Sequence, residues 1–105
     1  MAERITAAQF REKVLDTPTP VLVDFYSDSC VPCKMLSPVL SQLESELDGK
    51  LTIYKVNSPY EQELTEKYEV QASPTLIFFK DGAEVSRIRG AVKKSDIIAE
   101  FEKIE

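Results

Sequence analysis

The chain has 105 residues, of which 43% are hydrophobic and 30% charged, and a formal net charge of −5. That length and composition suit one compact domain, residues 1–105, with a core of its own and a polar surface. The basic residues are scattered and the longest basic run is Lys93-Lys94, which argues against nucleic-acid binding through a phosphate-neutralising patch.

The N-terminus, Met1-Ala2-Glu3-Arg4, opens no apolar signal region, so a cytoplasmic location is the default expectation. A short opening segment, read as an apolar strand, ends at Ile5. Thr6 then has the character of a helix N-cap, with Gln9 three residues on in a capping-box pattern, and Phe10 and Val14 give that helix an apolar stripe. Thr17-Pro18-Thr19-Pro20 is a stiff, short connector. Val21-Leu22-Val23-Asp24-Phe25-Tyr26 is too uniformly apolar for a half-exposed strand and reads as a central strand covered on both faces.

From Pro32 to Leu47 the apolar residues Leu36, Val39, Leu40, Leu43 and Leu47 follow helical spacing, and Gly49 is expected to close the helix. Pro38 lies inside it and predicts a kink. Leu51 to Val56 reads as the next strand. Ser58-Pro59-Tyr60-Glu61 offers an N-cap, a proline at the first helical position and a glutamate at the third, predicting a helix that buries Leu64 and Tyr68. Thr75 to Phe79 is a further buried strand. Asp81-Gly82 signals a hairpin into an edge strand near 84–88. Ser95 is expected to cap a last helix that buries Ile97, Ile98, Phe101 and Ile104. The order βαβαβαββα implies an α/β protein, with a mixed sheet between two helical layers. No apolar stretch approaches the roughly 20 residues a membrane span needs, so no membrane association is expected.

The chemistry centres on Cys30-Val31-Pro32-Cys33, which holds both cysteines of the chain at a strand-to-helix junction. Histidine is absent, which excludes a Cys–His nucleophile pair and histidine metal sites. Two cysteines supply half of a tetrahedral zinc shell, so no metal is expected. Cys30, at the helix start, is placed to ionise and attack a disulfide. Cys33, one turn further in, is placed to resolve the mixed disulfide, and Pro32 presets the backbone between them. The alternative is a pair of unrelated buried thiols.

Asp24 interrupts the buried strand, where an ionised carboxylate is unfavourable and its pKa should rise. It is positioned to take the Cys33 proton, through water, or else simply to cap a strand end. Lys55, in the neighbouring strand, either reaches Asp24 or points to solvent. Pro74, after Ser73 and directly before a buried strand, suits either a cis bond that presents the Ser73 backbone to an extended peptide or an ordinary trans loop proline. Gly90 is either a turn glycine or a point of close ligand approach.

Taken together, Val23-Asp24-Phe25, Cys30 to Met35, Ser37-Pro38-Val39-Leu40, Pro74-Thr75-Leu76, Lys80-Asp81-Gly82 and Gly90-Ala91 resemble the thioredoxin family from about Ile5 to the C-terminus. The resemblance implies the thioredoxin fold, a central five-stranded mixed sheet of order 1-3-2-4-5 flanked by four helices. It implies that Cys30 attacks and Cys33 resolves, that Asp24 is the buried aspartate with Lys55 as its neighbour, that Pro74 is cis, and that Gly90 and Ala91 line the substrate groove. Substrate contacts are then expected at Ser29, Val31, Pro32, Ser73, Pro74, Gly90 and Ala91. It further implies a monomer that reduces disulfide-containing proteins, is re-reduced by a thioredoxin reductase or similar donor, and needs no organic cofactor because the thiols carry the electrons.

The chain departs from the family's usual W-C-G-P-C stretch, since Ser29 precedes Cys30, Val31 replaces glycine and there is no tryptophan. Tyr26 and Ser29 stand where the family often has tryptophans. Ser73 is smaller and more polar than the apolar residue usual there. These departures motivate a second reading, an electron carrier for one dedicated peroxidase or reductase. A third is a non-catalytic interaction module, against which the intact cysteine pair argues. A glutaredoxin is disfavoured by Asp24 and by the absence of an obvious basic site for a glutathione carboxylate, whereas a secreted oxidase would require a removed leader.

Overall fold

A computed structural model of the chain describes residues 2–90 and 92–105. Ala91, expected in the substrate groove, lies outside the described residues. The elements are β1 (Glu3–Arg4), α1 (Ala7–Phe10, continued as a wider π-helical turn over Arg11–Leu15), β2 (Val21–Tyr26), α2 (Val31–Glu46), β3 (Thr52–Asn57), α3 (Gln62–Lys67), β4 (Thr75–Lys80), β5 (Ala83–Arg89) and α4 (Lys94–Ile104). The sheet order is β1-β3-β2-β4-β5, as the resemblance implied. β3 runs parallel to β1 and β2, whereas β4 is antiparallel to both β2 and β5.

β2 is flanked on both sides, and its alternating side chains feed two separate cores. Val21, Val23 and Phe25 join Ile5, Phe10, Val14, Val56, Leu64, Ile77 and Phe79 beneath α1 and α3. Leu22 joins Leu36, Leu40, Leu43, Ile53, Leu76, Phe78, Ile97 and Phe101 beneath α2 and α4. Burial on both faces explains the continuous apolar run in β2 and again in β4. By the same alternation Asp24 and Tyr26 belong to the α2/α4 face.

Several local expectations hold. The Thr6 N–H donates to Gln9 Oε1 at 3.0 Å, fixing the start of α1. The helix α2 runs through Pro38. Asp81 and Gly82 both adopt left-handed φ, 54° and 80°, the geometry of a tight hairpin turn. A side chain at Gly82 would also meet the Leu15 carbonyl oxygen at 3.1 Å, so glycine is required there twice over. A bulge follows in β5, where Phe78 faces Ser86 but Phe79 faces Glu84, leaving Val85 without a partner across the ladder.

Other expectations need correction. β1 is a polar, exposed pair of residues, and its apolar anchor is the following Ile5. Gly49 lies beyond the C-cap of α2, which is Leu47. The helix expected to run on from Ser58 breaks: Ser58–Tyr60 forms a single 3-10 turn, and Glu61 (φ −124°, ψ 57°) interrupts before α3. Ser58 does not cap it; its hydroxyl is buried with no hydrogen-bond partner among the described residues. The reason lies elsewhere in the fold. Glu61 turns its carboxylate to the N-terminus of α1, where Oε1 accepts the Ala7 N–H at 2.8 Å. A carboxylate is well placed there, against unpaired N–H groups and the positive end of the helix dipole. Ser95 is not the cap of α4 either. That helix starts two residues earlier than a Ser95 cap would place it, after Lys93, whose N–H donates to Asp96 Oδ2 at 3.2 Å.

Because Glu61 caps α1 across 54 residues of sequence, Glu61→Ala should destabilise the protein by about 1 kcal/mol. Glu61→Gln, which keeps an acceptor oxygen, should lose less than half of that. Urea unfolding of the three proteins measures both.

Candidate active site

β2 ends at Tyr26, and the loop Ser27–Ser29 carries the chain to Cys30, the N-cap residue of α2, with extended backbone (φ −87°, ψ 109°). Pro32 sits in the first turn, where its missing N–H leaves no helical bond unmade. Cys30 and Cys33 are joined as a disulfide with their Cα atoms 5.2 Å apart. The Cys33 N–H donates to Cys30 Sγ at 3.1 Å, so the helix N-terminus is directed at the Cys30 sulfur. Cys30 is half-buried, whereas Cys33 is only 4% exposed. That asymmetry is the one expected of an attacking and a resolving thiol.

Asp24 has no exposed surface, and neither carboxylate oxygen has a hydrogen-bond partner among the described residues. Burial pushes its pKa up from 3.8 to about 7, opposed by the positive charge of Lys55. Lys55 is the cross-strand partner of Asp24 in the parallel β2–β3 ladder, and both lie on the α2/α4 side. Of the two directions open to it, it takes neither fully. Its ammonium lies 4.5 Å from the centre of the Tyr26 ring, within electrostatic reach of Asp24.

A cavity of about 330 Å³ opens beside the disulfide, lined by Tyr26, Ser27 and Asp28, by Cys33, Lys34 and Ser37 of α2, and by Lys55. Asn57, buried at the end of β3, donates from Nδ2 to Asp28 Oδ2 at 3.3 Å and so ties the active-site loop to the sheet. On the other side of the disulfide an apolar groove of about 260 Å³ is formed by Pro32, Met35, Leu36, Val39, Pro74 and Val92. Val31 and Met35 stand proud of the surface, 64% and 72% exposed. A larger hollow of about 510 Å³, near Ser41, Asp48 and Thr52, lies along α2 and β3 and includes neither cysteine.

The Ser73–Pro74 bond is cis. Pro74 is buried, and its carbonyl oxygen accepts the Gly90 N–H at 2.8 Å, joining the two loops beside the disulfide. Gly90 has φ +80°, and a Cβ there would meet nothing within 4 Å, so its backbone conformation, and no crowding, is what calls for glycine. The fold therefore gathers Cys30, Cys33, Pro32, Pro74, Asp24 and Lys55. Ser29, Ser73 and Gly90 line neither the cavity nor the groove.

The sequence reading missed Met35, Val92 and Asn57, and it gave Tyr26 no role. Met35 had a usable signal, since it falls off the Leu36, Leu40, Leu43 stripe yet is apolar and adjoins the cysteine motif. Val92 and Asn57 had none, because only folding brings them to the site.

These features agree with comparisons to known proteins. The thioredoxin family model matches residues 1–103. Thioredoxin 1 of Nostoc sp. is 36% identical over 97% of this chain and 95% of its own length. Thioredoxin of Pseudomonas aeruginosa is 41% identical over 90% of this chain and 88% of its own length. The chloroplastic M-type thioredoxin of Spinacia oleracea is 36% identical over 94% of this chain and 55% of its own length. With its close Cys30–Cys33 pair, the chain belongs to the thioredoxin family and is a thiol–disulfide oxidoreductase that reduces protein disulfides.

Proposed function

We propose that the single domain, residues 1–105, works as a reductant in which Cys30 attacks, Cys33 resolves and Asp24 manages the proton of Cys33. The observation that carries this is the pairing of a half-exposed Cys30 and a buried Cys33 at the start of α2 with a fully buried Asp24 on the strand beneath. In the dithiol form, the Cys33 N–H and the helix N-terminus favour the Cys30 thiolate. That thiolate attacks one sulfur of a substrate disulfide. The substrate S–S bond breaks, one substrate thiolate leaves, and a Cys30–substrate disulfide forms. Cys33 then gives its proton to the Asp24 carboxylate through water and attacks the Cys30 sulfur. The second substrate thiolate leaves, and Cys30–Cys33 closes. Two electrons have passed to the substrate.

Substrate polypeptide lies over the apolar groove, with Pro32 and Met35 on one wall and Pro74 on the other, and meets the exposed Val31 beside the disulfide. The backbone of Ser73, with Ser29, Gly90 and Ala91, flanks the same face. Lys55 moderates the charge on Asp24. The protein returns to the dithiol by two-electron reduction from a thioredoxin reductase or similar donor. A reductant of this kind belongs in a reducing compartment, which supports the cytoplasm, and its scattered charge and compact groove suit a monomer acting on proteins, with no part for nucleic acid or membrane.

The Asp24 assignment has a consequence for stability. With a native pKa of about 7 against 3.8, the carboxyl holds its proton in the folded state where the unfolded chain has already lost it. Stability therefore falls as pH rises from about 4 to 7 and levels off above that. At about 1.4 kcal/mol per pH unit the interval is worth up to about 4 kcal/mol.

Three outcomes are expected. In insulin reduction by the dithiol form, Cys30→Ser falls to the background rate while Cys33→Ser accumulates a mixed disulfide visible on a non-reducing gel; equal rates for wild type and Cys30→Ser would overturn the reading. Asp24→Asn is more stable than wild type by about 1 to 4 kcal/mol at pH 8 in urea unfolding, and the gap closes below pH 4. The same variant slows resolution of the mixed disulfide at pH 8 by about 10²-fold in stopped-flow measurements.

A further inference from the structure

Tyr26 occupies a place that the mechanism above leaves without a task. It ends β2, two residues beyond Asp24 on the same side of the strand, and it lines the cavity together with Lys55 and Cys33. Lys55 has a long, flexible side chain whose ammonium is free to extend into water. The structure pairs it with no carboxylate among the described residues; what it faces is the Tyr26 ring, with Nζ 4.5 Å from the centroid. An aromatic face attracts a cation at that distance, and more strongly where water is partly excluded.

We propose that Tyr26 is a positioning residue, its ring holding the Lys55 ammonium at the cavity beside Cys33 and within reach of Asp24. The ring thereby sets how strongly Lys55 favours the carboxylate form of Asp24, and so the pH at which Asp24 can accept a proton. Other groups facing this space are Asp28 from the loop after β2 and Cys33 and Lys34 from α2; from β4, the neighbour of Asp24 is the apolar Leu76. Asp28 is itself held by Asn57. Lys55 is the cation that bears on Asp24, and Tyr26 is the group placed to steer it.

The catalytic consequence rests on the role of Asp24 given above, but the positioning is tested independently of activity. The Asp24 carboxyl is titrated by carbon-13 NMR in the oxidised protein for wild type, Tyr26→Phe, Tyr26→Leu and Lys55→Met, and for Lys55→Met combined with Tyr26→Leu. Tyr26→Phe keeps the aromatic face and should leave the midpoint within about 0.2 pH units of wild type. Tyr26→Leu should raise the midpoint by about 0.5 to 1 pH unit more in the wild-type background than in Lys55→Met. Tyr26→Met, also without a ring, repeats the measurement if Tyr26→Leu does not fold. Equal shifts in the two backgrounds, or a smaller one in wild type, would mean that the ring acts on Asp24 by burial alone and would overturn the proposal. Normal ring–lysine coupling with an unchanged resolution rate in Asp24→Asn would instead count against the role of Asp24.

Discussion

The burial of β2 on every side is the constraint from which the rest of the structure follows. Its backbone is hydrogen-bonded to β3 and β4, and its side chains pack alternately into two cores. A strand held in this way has little freedom to slip, because a one-residue change of register would exchange its two faces. The end of β2 is therefore a rigid platform, and the loop from Tyr26 to Cys30 is short. Cys30 consequently sits at one defined place, at the N-terminus of a helix whose own apolar stripe is anchored to the same sheet.

The same rigidity makes Asp24 useful. A carboxyl in an exposed loop would stay ionised at neutral pH. In β2 it has no solvent contact, and burial pushes its pKa to about 7. The fold is thus less stable at neutral pH than it would be with a neutral group there, and the carboxyl changes its charge near neutral pH. Lys55 keeps the penalty bounded. Desolvation has the larger effect and the lysine charge the smaller, which leaves the group able to titrate instead of being locked in one form.

The site also has two unlike sides. Toward β3 it is polar and walled by Tyr26, Asp28 and Lys55. Toward β4 it is apolar, and exposed Val31 and Met35 extend that surface around the disulfide. A polar cavity and an apolar groove therefore lie on opposite sides of one sulfur pair. In a chain without tryptophan, Met35 and Val31 are the exposed apolar side chains beside the disulfide.

Much of this could be read along the chain. The alternating strands and helices, the hairpin at Asp81-Gly82, the capping box at Thr6 and the buried runs of β2 and β4 are written in short-range patterns, and so they appear where expected. The two failed caps have different causes. At Ser58 the local signal lost to a distant partner, since Glu61 is drawn away to α1 across 54 residues. At Ser95 it lost to a local competitor, since Asp96 already serves the start of α4 through the Lys93 N–H.

The same division runs through the active site. Residue type and spacing over a few positions were enough to read the disulfide chemistry, the likeness to thioredoxins and the oddity of a carboxylate in an apolar strand. Long-range packing was needed to turn Lys55 to the Tyr26 ring, to bring Met35 and Val92 into a groove with Pro74, to let Asn57 hold the loop through Asp28, and to tie Gly90 to Pro74. Those contacts depend on strand register and on helices closing over both faces of the sheet, which no short stretch of sequence contains.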